Sequence, residues 1–122
     1  MPLPSDINPL ELRQRLQQPG HAMGGAGAEL TVVPGYVGDC KGWEMGTATI
    51  RWKADPAQVS NVQVQVSSRT ETARKPFAGG DPVGEAVAQD WVRAGVTFDL
   101  VDMANGRDLA SYTVEALPCA QM

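Results

Sequence analysis

Three valines alternate with two glutamines in "NVQVQVSS", the segment from Asn61 to Ser68. Successive side chains of an extended chain point to opposite faces, so Val62, Val64 and Val66 share one face and Gln63 and Gln65 the other. No helix collects that set on one side. The pattern demands a strand with one face in a core and one in water, and it recurs along the chain. In "GTATIRWKA", Ala48, Ile50 and Trp52 alternate with Thr47, Thr49 and Arg51, which makes Trp52 an inward residue. In "VTFDLVD", Val96, Phe98 and Leu100 alternate with Thr97, Asp99 and Val101. "ELTVV", "EAVAQDWV" and "LASYTVEAL" read as further strands, with a weaker one near Ala73 to Ala78.

Turn residues punctuate these segments: Pro34-Gly35, Gly79-Gly80-Asp81-Pro82, Arg93-Ala94-Gly95, and Asn105-Gly106, the strongest short hairpin signal. Strands at this spacing predict an antiparallel sandwich or barrel of about seven strands. Strands and helices do not alternate, which argues against a parallel, nucleotide-binding α/β fold. A chain of 122 residues is one domain, long enough to bury a core without metal or many disulfides.

The start of the chain has a different rhythm. Asn8-Pro9-Leu10-Glu11 reads as N-cap, first-turn proline and N3 glutamate, opening a helix of about ten residues that Pro19-Gly20 ends. Leu12 and Leu16 lie one turn apart, so this helix needs a surface to dock on: the β domain, a partner or a second copy. "GHAMGGAGAE" reads as a flexible linker by composition. The expected organisation is therefore a helical segment over residues 1–19, a Gly-rich linker over 20–29 and a β domain over 30–122.

A family resemblance enters with the strand ending in Trp52, the turn through Asp55-Pro56 and the Val-x-Val-x-Val strand. Together they resemble the second and third strands of fibronectin type III and related immunoglobulin-like domains. The second half is similar to small bacterial immunoglobulin-like domains, on Phe77, Gly79, Gly80, Gly84, Ala86, Trp91, Val92, Phe98, Leu100, Asp102, Asn105, Gly106 and Leu109. The resemblance covers roughly Leu30 to Leu117. It implies an all-β, antiparallel immunoglobulin- or fibronectin type III-like β-sandwich with the short helix in front. It also implies an accessory role, since such domains accompany polysaccharide-processing, glycosyltransferase and surface proteins. It carries no catalytic residues across.

Charge and motif content narrow the function classes. A net charge of −4, with the ten Lys and Arg scattered, argues against a nucleic-acid or anionic-membrane partner. No apolar run reaches membrane-span length, and the N-terminus lacks the pattern of a signal peptide. The chain reads as cytosolic or as a piece of a longer protein.

The serines lack a base, because the one histidine, His21, sits in the expected linker. The glycine-rich stretches lack the lysine of a phosphate loop. Asp81, Glu85, Asp90 and Asp102 are the best carboxylates for a small enzyme and read more simply as solvated charges. No metal site or cofactor is expected.

Cys40 and Cys119 are either two separate thiols or one bridge between the ends of the domain, which would place the chain outside the cytosol. What remains is aromatic. Trp43 and Tyr36 lie in loops outside the alternation and Trp91 near a strand end, so these three are the candidate binding residues, for a protein or a glycan. The expected function is a non-enzymatic accessory or interaction module that binds a protein partner or positions a neighbouring domain, with a carbohydrate-binding module as the alternative.

Overall fold

A computed structural model describes residues 16–118. The helix expected near the N-terminus lies almost wholly outside them; Leu16, at its end, is buried. Strands make up 58% of the described residues and helix essentially none, which puts the chain in the all-β class.

Ten strands occur among the described residues: β1 (Gly20–Met23), β2 (Glu29–Val33), β3 (Tyr36–Gly38), β4 (Met45–Lys53), β5 (Val62–Ser67), β6 (Lys75–Gly80), β7 (Val83–Arg93), β8 (Thr97–Asp102), β9 (Arg107–Thr113) and β10 (Glu115–Leu117). One antiparallel sheet has the order β1-β2-β4-β7 and a second the order β6-β5-β8-β9. A short pair, β3 with β10, is parallel, a departure from the expected all-antiparallel pairing. It arises because Pro34 supplies no N–H to continue the β2 ladder, while the last strand breaks at Val114, which turns inward.

One core joins the two sheets. Leu30 and Val32 on β2, with Ala48, Ile50 and Trp52 on β4, meet Val62 and Val64 on β5 and Phe98 and Leu100 on β8. Trp52 is 5% exposed, as its alternation demands. Its Nε1–H donates to the Asp81 carbonyl at 3.1 Å, so the ring is buried without an orphaned donor. Burying such a ring removes on the order of 200 Å² from water. At about 25 cal/mol per Å² that is roughly 5 kcal/mol gross, well above the ~1 kcal/mol of its hydrogen bond. The strand opposite makes room: Gly84 pairs with Trp52, and a methyl group there would collide with the indole.

The Gly-rich stretch expected as a linker is instead ordered. Gly20–Met23 pairs with Leu30, Thr31, Val32 and Glu29 as β1. Gly25 N–H donates to the Leu109 carbonyl at 3.1 Å, stitching this hairpin onto β9 of the other sheet. Gly20 in this stretch, and Gly35 beyond it, serve close approach. A methyl at Gly20 would strike the Tyr112 ring, and one at Gly35 would lie 2.5 Å from Gly20 N. The Tyr112 hydroxyl occupies the space they leave and donates to the Gly35 carbonyl at 2.6 Å. Burial foremost, then Tyr36 and Glu115 nearby, pushes this phenol well above its ordinary range, so it stays a donor.

The outer face of the second sheet carries a charged clasp. Asp99, at an outward position of β8, is nonetheless 2% exposed. Ser111 Oγ donates to its Oδ1 at 2.7 Å, and Arg74 Nε lies 3.3 Å from its Oδ2. The same Arg74 reaches on to Asp108 with a fork of two bonds, 2.7 and 2.8 Å long. Cys40, in the turn before β4, is disulfide-bonded; the chain's other cysteine, Cys119, lies outside the described residues.

Two predictions follow from these closures. Tyr112→Phe should cost about 0.5–1.5 kcal/mol in urea unfolding, the net value of one hydrogen bond, because the Gly35 carbonyl then keeps only its longer bond from Glu115 N–H at 3.4 Å; Gly20→Ala should cost more, since the ring must move. The Arg74 fork holds Asp108 below its ordinary value of 3.8, so its contribution is complete above that pH and disappears as pH falls through the lowered value. The stability gap between the wild type and Asp108→Asn should accordingly be constant from pH 6 down to about 4 and shrink below it.

Candidate functional site

The alternation of β7 fails at one place, and the candidate site is built there. Ala88 and Val92 both face the core, so strict alternation would send Asp90 inward too, an expensive position for a carboxylate. The strand avoids this with a bulge: Gly46 pairs with Val92 and Ala48 with Ala88, leaving Gln89, Asp90 and Trp91 opposite Thr47 alone. Asp90 takes a left-handed backbone, φ 64°, which Asp tolerates better than most residues. Thr47 clamps it twice: Asp90 N–H donates to Thr47 Oγ1 at 3.1 Å, and that hydroxyl donates to Asp90 Oδ1 at 3.1 Å. Bulges of this kind re-aim a side chain, and here the side chain is Trp91.

Trp91 lies on the flank where β7 and β6 end their sheets. It packs at 76° to Phe77, with ring centroids 5.8 Å apart, and against Phe98 at 6.0 Å. Phe77 and Phe98 themselves meet at 5.9 Å. The ring remains 37% exposed and forms one wall of a cleft of about 400 Å³. Met45, Val66 and Val96 supply the other apolar surface, and Ser67, Ser68, Glu71, Lys75 and Arg93 the polar rim. Lys75 Nζ and Glu71 Oε2 pair at 2.7 Å across the rim; the hydrogen bond from Lys75 holds the Glu71 carboxyl below its ordinary range. Arg93 Nη2 donates to Thr70 Oγ1 at 3.3 Å.

Of the three aromatic residues singled out from the sequence, Trp91 lines this cleft, while Trp43 and Tyr36 are outside its lining. Trp43 is half-buried in the loop before β4, where its carbonyl accepts from Gly38 N–H at 2.8 Å. Tyr36 is half-buried on β3 and contributes to the environment of Tyr112. Sequence reasoning missed Met45, Arg93, Lys75 and Phe77, which are remote from Trp91 or ordinary in type. The one available signal was Asp90, a charge standing in phase with buried residues.

Three of the four acidic residues singled out from the sequence have a partner for the carboxylate, and Asp81 acts through its backbone. Asp81 holds Trp52 through its carbonyl, and Glu85 pairs with Arg51 at 2.8 Å. Asp90 sits in the bulge, and Asp102 accepts from Ala104 N–H at 2.9 Å at the end of β8. They belong to β7, its preceding turn and the opposite sheet. His21 is on β1, with Nδ1 3.1 Å from Thr31 Oγ1. Among the described residues no three His, Cys, Asp or Glu come together as a metal site, and no helix is long and apolar enough to cross a membrane.

No protein-family model, curated protein or solved structure matches this chain.

If the Thr47 clamp aims Trp91, then Thr47→Val should cost about 1–2 kcal/mol and redshift or broaden the Trp91 emission, measured in a Trp43→Phe background as the difference from the same protein carrying Trp91→Phe, which leaves the buried Trp52 as the common signal. An unchanged spectrum would mean that the bulge holds without it.

Proposed function

We propose that this chain is a non-enzymatic interaction module of the immunoglobulin and fibronectin type III kind, which binds a protein partner through the Trp91 cleft. Its strand order supports the fold reading. Consecutive strands cross between the sheets, from β4 to β5 and from β6 to β7 to β8, and β8 and β9 form a hairpin. This is the Greek-key habit of such sandwiches. The parallel β3–β10 pair is the part of the topology that departs from an all-antiparallel pattern.

The observation that carries the binding reading is the half-exposed Trp91. A free-standing core would bury it or replace it with a polar residue. Instead a strained bulge turns it to the rim of an apolar cleft, the arrangement by which aromatic anchors dominate protein interfaces. The same ring, beside Ser67 and Ser68, also suits stacking on a sugar, so a carbohydrate-binding module is the second reading.

A displayed random-peptide library and a glycan array, both probed with the whole chain, separate the two. The protein reading expects enriched peptides whose binding falls at least about tenfold with Trp91→Ala and is unchanged with Trp43→Ala. Glycan spots that Trp91→Ala abolishes, without peptide enrichment, would favour the second reading. Binding that survives Trp91→Ala would remove the cleft from both.

A further inference from the structure

We infer that the Trp91 cleft selects an extended peptide that places an apolar side chain next to a carboxylate, the carboxylate pairing with Arg93. This rests on the binding reading above and adds the chemistry of the ligand.

Charge complementarity sets the sign. Arg51, Arg74 and Lys75 each have a carboxylate partner within 3.3 Å. Among the described residues Arg93 makes no ion pair, and of the cations in that state it is the one that lines the cleft. Its hydrogen bond to Thr70 is neutral and, at 3.3 Å, long. Glu71, the one acid on the rim, is engaged by Lys75. The cleft therefore offers a guanidinium fork with donors to spare, in a chain whose net charge is −4. A carboxylate fills that fork with two parallel bonds, which a neutral amide cannot reproduce.

The apolar half of the ligand follows from Met45, Trp91 and Val96. Met is an adaptable surface that accepts side chains of various shape, and the exposed part of the indole supplies flat area. The extended form follows from β7. It pairs with β4 on one side and with no strand on the other, so the backbone groups of its outer side have no ladder partners and suit an added strand. Val83 and Val87 stand exposed along the same strand. The bulge at Asp90 ends that edge where Trp91 turns, and a chain pairing along β7 arrives there with its next side chains over the cleft.

The test uses the whole chain and peptides selected from a displayed random library, with affinities read by fluorescence polarisation. Cleft-binding peptides, defined by loss with Trp91→Ala, should share an Asp or Glu within two residues of an aromatic or aliphatic one. Changing that acid to its amide should weaken binding about tenfold. Arg93→Gln should weaken the acidic peptide by the same factor and leave the amide peptide unaffected, the signature of a direct pair. Arg93→Glu should reverse the preference toward a lysine-bearing peptide. Arg93 is exposed, so these variants fold, and one-dimensional proton spectra check it. Cleft-binding peptides with no acid preference, or indifferent to Arg93→Gln, would overturn this inference while the binding reading stands. Peptide binding that ignores Trp91→Ala would overturn both. So would an empty selection, a glycan as the cleft's ligand, or a concentration-dependent dimer in sedimentation that Trp91→Ala abolishes.

Discussion

The Tyr112 hydroxyl bonds the Gly35 carbonyl 77 residues earlier in the chain, and the arrangement of both sheets turns on that contact. Two sheets over one core leave two open flanks. On this flank the first strands of one sheet must meet the last strand of the other, and the phenol is the piece between them. Its ring needs Gly20 and Gly35 without side chains, and its hydroxyl needs a carbonyl that β2 no longer uses beyond Pro34. Gly25 adds a backbone bond to Leu109 a few residues further on. The result is a flank closed largely by backbone and glycine.

The opposite flank is closed differently. There β6 and β7 approach without pairing, and side chains fill the gap: Phe77 from β6, Phe98 from β8 and Trp91 from the bulge of β7. Closure by rings is less complete than closure by backbone. It leaves the indole partly in water and a cleft beside it, rimmed by an arginine without an ion pair. Each flank also holds one non-glycine residue in a left-handed backbone, Asp90 here and Ala26 in the turn between β1 and β2 on the Tyr112 side. Sparsely populated backbone conformations gather at functional sites because the surrounding structure must support them for a reason. The Thr47 clamp is that support.

Much of the architecture was legible because alternation is a direct readout of which face is buried. Val62 and Val64 are in the core as their pattern requires, and Trp52 is inward with its neighbours Ala48 and Ile50. The glycines of residues 20–29 misled, because composition alone cannot separate glycine that loosens a chain from glycine that lets two backbones and a ring approach. Only the partner, Tyr112, distinguishes them, and it stands at the far end of the sequence. The weak segment near Ala73 to Ala78 is β6, which runs on through Gly79 and Gly80 and leaves Asp81 and Pro82 as the turn. Arg74, which covers Asp99 and reaches Asp108, was invisible for the same reason as Arg93. A long cation has no periodic signature, and its role depends on what the fold brings beneath it.

The bulge in β7 has one more consequence. An eleven-residue strand at the margin of a sheet, with Val83 and Val87 exposed along it, is the kind of surface on which copies of a protein zip together into aggregates. The left-handed Asp90 interrupts it after Gln89, bends the strand, and sets a charge at the break. A uniform ladder with an identical molecule therefore cannot extend along the whole edge. The kink that turns Trp91 toward the cleft thus also limits edge-to-edge pairing along β7, and straightening it would lengthen the edge on which copies could pair.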